Sequence, residues 1–254
     1  MEMAEVVYQP GMTALGIVSF SGGKTSGYMS KLIKDADPSC RVVFMNTGME
    51  HEKTLEFVDR CDKEFGLNVE WIEAKVHHGE RKSTSFTSTT FREAERGISL
   101  AREVVQKYGL FGMGFLHCTR ELKLNPFKAW KKENGLMEAK VAIGIRADEI
   151  DRVNPRYKDE QLYYPLIDLK VTKEDVNNFW SEQAFDLGIP DRLGNCVFCW
   201  KKSDKKLVAN AKEYPDELKL ITELENIGTK GSDKMFRGKK SSADFGCKES
   251  CELF

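Results

Sequence analysis

The sequence predicts an α/β fold built on a doubly wound, mostly parallel sheet. Three features point to it. Apolar, β-branched runs alternate with stretches whose apolar residues recur at helical spacing through the first 75 residues. The first such run ends in a glycine pair followed by a helical pattern, the punctuation of a strand–loop–helix unit. At 254 residues the chain is long enough to bury a substantial core, so one main domain, alone or with an appendage, is expected, and no apolar run approaches the roughly 20 residues that span a bilayer.

The elements follow in order. Residues 14–20, "ALGIVSF", read as the first buried strand, and 27–35, "GYMSKLIKD", as its helix. "CRVVFMNTGMEHEKTLEFVDRCDKEFG" repeats the unit: a strand at 41–45, a polar turn at Asn46, Thr47 and Gly48, then a helix with Leu55, Val58 and Phe65 on one side. "LNVEWIEAK" is a third strand. The Ser-, Thr- and His-rich segment 76–96, including "STSFTSTTF", has no clean period and reads as a loop or lid. A helix is expected at 99–108, and another in "NPFKAWKKENG", opened by Pro126 and closed by Gly135. "EAKVAIGIRADEI" supplies the next buried strand and its loop. In "YYPLIDLKVTKEDVNNFW" a short strand precedes a helix capped by Thr172, with Asp175 three positions on. A lysine-rich helix follows "GNCVFCW", and the polar end of the chain is expected to be mobile. The expected division is 1–12 as an extension, 13–200 as the nucleotide-binding domain, and 201–254 as a helical segment with a cysteine-bearing tail.

Charge narrows the partners. A net charge of −1 gives no global field for nucleic acid or membrane, so any basic surface must be local. "MEMAEVVYQPGM" is acidic and lacks the apolar core of a signal peptide, so a cytoplasmic protein with no membrane partner is expected. Seven cysteines then read as thiols, metal ligands or catalytic groups before structural disulfides.

"SFSGGKTSGYM" outlines a phosphate site. Two glycines let the backbone approach an anion, Ser21, Thr25 and Ser26 offer hydroxyls, and Lys24 adds charge at a helix start. It is not a Walker A loop, because that pattern needs glycine where Val18 stands. An ordinary glycine turn is the bland alternative. The segment resembles the PP-loop ATP pyrophosphatase superfamily, whose loop Ser-x-Gly-Gly-x-Asp/Thr-Ser follows the first strand. In that family the loop holds the pyrophosphate of ATP, with magnesium, and the acceptor is adenylated.

The resemblance extends along the chain to the phosphoadenylylsulfate (PAPS) reductase-like branch. "NTGMEHEKT" is similar to its "DTG-x-x-x-x-E-T", "HCTRELKLNPFKAW" to "CCxxRKVxPLxRAL", "GIRADEIDR" to "GIRRDQSxxR", and "GNCVFCW" to "IGCxPCT". It implies an adenine nucleotide α-hydrolase-like fold. It carries Ser21, Gly22, Gly23, Lys24, Thr25 and Ser26 over as the pyrophosphate loop, and Asn46, Thr47 and Gly48 as the nucleotide turn, with Asn46 where Asp is usual. Arg146 carries over as a cationic clamp on phosphate, since a guanidinium forks onto oxyanions, against the plainer reading of a surface ion pair. Asp148 and Glu149 are candidates to hold magnesium, or are simply solvated.

Cys196 and Cys199 form Cys-x-x-Cys, which alone fits a redox pair, half a zinc site or two cluster ligands. In iron–sulfur members of the branch a Cys-Cys pair about eighty residues earlier completes a [4Fe-4S] site. Here Cys118 matches while its neighbour is His117, leaving three thiolates with His117, Cys247, Cys251 or an outside ligand for the fourth position, or an open iron. Zinc is the alternative metal. "KESCELF" resembles the reductases' terminal "KTECGLH", which makes Cys251 a candidate sulfur carrier.

Two activities follow from the resemblance. One is sulfonucleotide reduction with release of sulfite. The other, favoured because reductases usually lose the intact loop kept here, is an ATP pyrophosphatase that adenylates an acceptor for sulfur incorporation. The expected partners are a cysteine desulfurase or other sulfur donor and, directly or through a partner subunit, DNA or tRNA. Lys201, Lys202, Lys205 and Lys206 are candidates to meet a phosphate backbone or form a solvated face. A non-catalytic nucleotide-binding subunit is the remaining reading.

Overall fold

A computed structural model describes residues 16–112 and 117–228. Six strands form one sheet in the order β4-β3-β2-β1-β5-β6, where β1 is Ile17–Phe20, β2 Arg41–Asn46, β3 Glu70–Lys75, β4 Ser85–Thr89, β5 Val141–Ile143 and β6 Leu162–Tyr163. The pairs β1–β2, β1–β5 and β5–β6 run parallel. In register, Ile17 faces Arg41 on one side and Val141 on the other. β1 is therefore interior, and three of its four residues are buried, as an apolar run in a parallel sheet requires. The order reverses across β1, whose neighbours β2 and β5 are not consecutive strands. Such a reversal opens a crevice at the carboxyl ends of the strands.

The described residues group into two compact units. The first comprises residues 16–44, Lys53–Trp71 and Gly135–Gly188. Its helices include α1 (Lys24–Ala36), α2 (Glu52–Phe65, from Lys53 on), α6 (Pro165–Asp168) and α7 (Lys173–Ser181). Phe57, Phe65, Phe179, Trp180 and Phe185 interlock with ring centroids between 4.8 and 6.1 Å apart, a geometry worth more than area burial alone. α1 reaches this cluster because Gly27 has no side chain; a Cβ there would stand 3.0 Å from Trp180 Cζ2. α7 starts as its sequence predicts, since Thr172 and Asp175 form a full capping box.

The second unit comprises Met45–Glu52, the described part of Ile72–Asn134, and residues 189–228. Its core joins α3 (Ser99–Tyr108), α8 (Asp204–Glu213) and α9 (Pro215–Gly228) through Val104, Val105, Leu207, Leu218 and Leu224. Segment 76–96 is not the uninterrupted loop expected from its lack of period: it contains β4. β4 is an edge strand with no fully buried residue and with Thr87 and Ser88 exposed, so no alternation marks it. The helix expected to open at Pro126 begins earlier. α4 (His117–Thr119) runs through a π turn (Arg120–Leu124) into α5 (Asn125–Glu133). The Asn125 N–H bonds the Arg120 carbonyl five residues back, immediately before Pro126, which has no N–H to give.

Candidate functional site

In the first unit the phosphate loop leaves the carboxyl end of β1. Gly22 adopts φ +77°, and a Cβ there would lie 2.5 Å from Thr54 Cγ2 and 3.2 Å from Phe44 Cε2. Glycine is needed both for the left-handed backbone and for the close approach. Gly23 is the N-cap of α1 and contributes no side-chain hydrogen bond, and the first turn holds no acidic residue. The positive end of a 13-residue helix is thus left without an internal side-chain anion.

The loop's own side chains divide into braces and free ends. Ser26, 3% exposed, accepts from the Ser21 N–H at 3.2 Å, pairs with Ser21 Oγ at 2.9 Å and donates to the Gly23 carbonyl at 3.0 Å. Its hydroxyl holds the loop's shape rather than projecting from it. Lys24 extends to Asp186 Oδ2 at 2.8 Å, a partly exposed pair. Its carbonyl accepts the Trp180 indole N–H at 2.9 Å, fixing the start of α1 from the aromatic core.

Arg146, expected as a clamp, is placed beside the loop. It follows β5, the other strand at the reversal, and its Nη1 donates to Thr25 Oγ1 at 3.1 Å. Gly144 makes the approach possible, since a Cβ there would stand 3.1 Å from the Ser26 Cα. The guanidinium forks onto Asp148 at 2.9 and 3.0 Å and pairs with Glu149 at 3.2 Å. The Arg146 hydrogen bond holds the Asp148 carboxyl below its ordinary pKa. Asp148, still exposed, and Glu149 both pair with Arg146, and Glu149 also pairs with Arg152.

In the second unit, Asn46 is fully buried and donates to Glu73 Oε1 at 2.6 Å and to the Glu95 carbonyl at 2.9 Å, while its Oδ1 accepts the Gly48 N–H at 3.2 Å. Asparagine in place of aspartate has a physical reason here: a second carboxylate would repel Glu73. Gly48, at φ +78°, lets the Gly97 backbone approach, its carbonyl accepting the Gly97 N–H at 2.7 Å.

Thr47, expected on the nucleotide turn, turns its side chain to a different cluster. Its hydroxyl lies 2.7 and 2.8 Å from the two Glu50 oxygens and 3.6 Å from Cys196 Sγ. Cys196 forms an isolated antiparallel bridge with Glu50, and the Val197 N–H bonds the Met49 carbonyl at 3.1 Å. The three cysteines expected as ligands, Cys118, Cys196 and Cys199, line one cavity of about 450 Å³ together with Glu50, Phe111 and Trp200. Burial, then the Glu50 carboxylate, pushes the Cys196 thiol up to about 12. Lys123 lies 3.9 Å from Glu50; burial alone would lower its pKa, but Glu50 and then the three cysteines hold it above the ordinary lysine value. Glu50 and Lys123 lie inside two of the segments that carry the resemblance, at positions for which the sequence indicates no role.

Among the described residues no group of three or more His, Cys, Asp or Glu side chains is already arranged around a metal position. Lys202, a candidate for a phosphate backbone, is instead an internal staple. Its ammonium donates to the carbonyls of Gly194, Cys196 and Val197 at 3.0, 2.8 and 3.3 Å, and burial pushes its pKa down to about 8. Cys40 and Cys61 are buried, their thiols pushed up by that burial, to about 11 for Cys40. Cys247 and Cys251 lie outside the described residues.

The chain is 34% identical over 221 residues to an uncharacterized nin region protein, ORF290, of Escherichia phage lambda, covering 83% of this chain and 74% of that protein. It is 22% identical over 234 residues to the uncharacterized protein MJ0973 of Methanocaldococcus jannaschii, covering 87% of this chain and half of that one. Among solved structures, an NH3-dependent NAD synthetase from Campylobacter jejuni aligns with a TM-score of 0.41 at 15% identity over 87% of each chain. Residues 16–151, which contain the phosphate loop, the Asn46 turn, Cys118 and Arg146, match the phosphoadenosine phosphosulfate reductase domain, and the chain belongs to that family.

Proposed function

We propose that the chain is an ATP pyrophosphatase that adenylates an acceptor oxygen in support of sulfur incorporation, with nucleic acid as the acceptor. The observation that carries the reading is the intact loop: Gly22 and Gly23 give backbone access, α1 presents an uncapped positive end, and Arg146 is fixed at Thr25. Ser21, Gly22, Gly23, Lys24 and Thr25 hold the phosphates of ATP and its magnesium, and Asn46 and Gly48 support the nucleotide turn. The acceptor oxygen attacks the α-phosphorus, and the bond to the bridging oxygen breaks. Pyrophosphate leaves with the electron pair, stabilised by amides, Lys24 and Arg146. A sulfide-level sulfur then bonds to the acceptor atom that carried the oxygen, and AMP leaves with that oxygen and the electron pair of the broken bond. If sulfur arrives as a persulfide on Cys251, a thiol reductant supplies the two electrons that release it.

Cys118, Cys196 and Cys199 are soft donors sharing one cavity with the Lys123 ammonium beside it, a set that fits an anionic iron–sulfur cluster and, less fully, zinc. A cluster held there by Cys118, Cys196 and Cys199 would supply soft metal chemistry for sulfide. A cysteine desulfurase fits as the sulfur donor.

The test is direct. Anaerobically purified protein with ATP and magnesium, with and without DNA or tRNA, should yield AMP and pyrophosphate, and Lys24→Ala should reduce that yield by a hundredfold or more, on the order of one lost transition-state contact. The family match supports a second reading, reduction of a sulfonucleotide. Sulfite released from PAPS without AMP formation from ATP would replace the first reading with the second.

A further inference from the structure

The second unit carries another cavity, of about 490 Å³, built from the 80–83 turn, the end of α3 and the π turn. Its lining includes four cations, Arg81, Lys82, Lys107 and Arg120, and the ring of Tyr108, against two carboxylates, Glu80 and Glu121. In a chain of net charge −1 this is the local basic surface that the composition leaves room for.

We propose that this cleft binds the phosphodiester backbone of a single-stranded nucleic acid, with a base on Tyr108. The inference rests on the reading of the acceptor as nucleic acid and locates the surface that receives it.

Three observations carry it. First, Glu121 does not oppose an incoming phosphate. Its side chain is 3% exposed, and it already accepts from Thr84 Oγ1 at 2.5 Å, Arg120 Nε at 2.6 Å and Asn125 Nδ2 at 3.0 Å. Second, two cations are held in place. Lys107 donates to the carbonyls of His77 and Lys82 at 2.5 and 2.8 Å, while Arg120 is braced by Glu121 and by His117 Nδ1 at 2.9 Å. Cations fixed before binding lose less side-chain freedom when a ligand arrives. Arg81 and Lys82, both exposed, form no ion pair among the described residues. Third, the Tyr108 ring lies 5.1 Å from the Lys107 ammonium and 5.9 Å from the Arg120 guanidinium. An aromatic ring set among cations is the combination that single strands use, whereas a duplex offers no free base face to stack.

The position relative to the thiols suits delivery. Cys118 and Arg120 are two residues apart on one helical stretch, about 200° around its axis, and they line different cavities, Cys118 the thiol cavity and Arg120 the cleft. One short helix thus separates the thiol cavity from the proposed strand.

Fluorescence anisotropy with end-labelled single-stranded oligo(dT) and oligo(U), a duplex of equal length and an acidic peptide tests the proposal across a salt series. Wild-type protein should bind both single strands more tightly than duplex or peptide, and each phosphate contact should add about 0.7 to the salt slope. The double variant Arg81→Glu, Lys82→Glu should lower the slope by about 1.4 and weaken binding about tenfold or more at low salt. Its far-UV spectrum and melting temperature report whether it is folded, and Arg81→Ala, Lys82→Ala repeats the measurement without added acid. No single-strand binding by the wild type, equal binding by the folded variants, or tighter binding of the acidic peptide each overturns the proposal. ATP binding to the wild type is followed separately by calorimetry. ATP binding without strand binding removes the cleft and leaves the phosphate loop; strand binding without ATP binding keeps the cleft and removes the pyrophosphatase reading.

Discussion

Gly22 is the residue on which the loop's geometry depends most. Its φ of +77° and the 2.5 Å that would separate an added Cβ from Thr54 Cγ2 are independent obstacles to a side chain. Gly22→Ala should therefore destabilise by about 2–4 kcal/mol, combining left-handed strain with overpacking, and urea denaturation measures it. Adding Thr54→Ser removes the nearest obstacle and should recover only the steric share, because the backbone strain stays. Lys24 presents the opposite case, a residue held lightly. Its pair with Asp186 is partly exposed on both sides, and such pairs contribute about 0–1 kcal/mol, so a phosphate can draw Lys24 away at little cost. Asp186→Ala should raise ATP affinity by up to about fivefold by calorimetry, the equivalent of that pair; a loss of affinity would show that Asp186 helps to hold the nucleotide. Gly22 and Lys24 were legible as parts of a strand–loop–helix turn, because an apolar run that ends in a glycine pair and restarts at helical spacing marks one. Glu50 and Lys123 were not, because a charge pair beside thiols is made by tertiary contact and leaves no spacing to read.

Elements were legible where their determinants are local. Thr172 and Asp175 define a helix start within four residues, and the capping box is present. β4 was hidden because an edge strand without a fully buried residue carries no alternation. The helical run before Pro126 was hidden because a proline at a helix start usually marks the first turn, whereas here a π turn precedes it. That π turn holds Glu121, which ties β4's approach at Thr84 to the helical stretch. Burial alone would raise the Glu121 pKa, but the bonds from Thr84, Arg120 and Asn125 outweigh it and hold the carboxyl below its ordinary value. The sign follows: the unfolded chain takes up the proton more readily, so this stabilisation is present above the ordinary carboxylate pKa and is lost as pH falls through the lower folded value. Glu121→Gln should cost about 1–3 kcal/mol at neutral pH, and its deficit against the wild type should shrink as the solution is acidified. A deficit constant with pH would mean that packing, not charge, is what the substitution removes.

At the scale of the whole chain, residues 16–151 match the family to which the ordered motifs pointed. The motifs do not reveal that the residues they mark fall in both compact units. Thr47 sits in the segment read as a nucleotide turn, yet its hydroxyl faces Glu50 and Cys196, while Arg146 and Thr25 belong to the other compact unit. If the phosphate loop and the thiol cavity are chemically distinct, their losses should separate. Lys24→Ala should abolish ATP binding by calorimetry and leave iron uptake intact. Cys196→Ser with Cys199→Ser should abolish the absorbance at about 400 nm that a reconstituted cluster gives and leave ATP binding within about twofold, the scatter of distant and independent sites. Zinc bound in place of iron, with no colour, would retain the thiols as ligands and change the metal. Loss of both properties in either variant would mean that the two constellations operate as one, and the adenylation and sulfur steps would then have to be assigned to a single site.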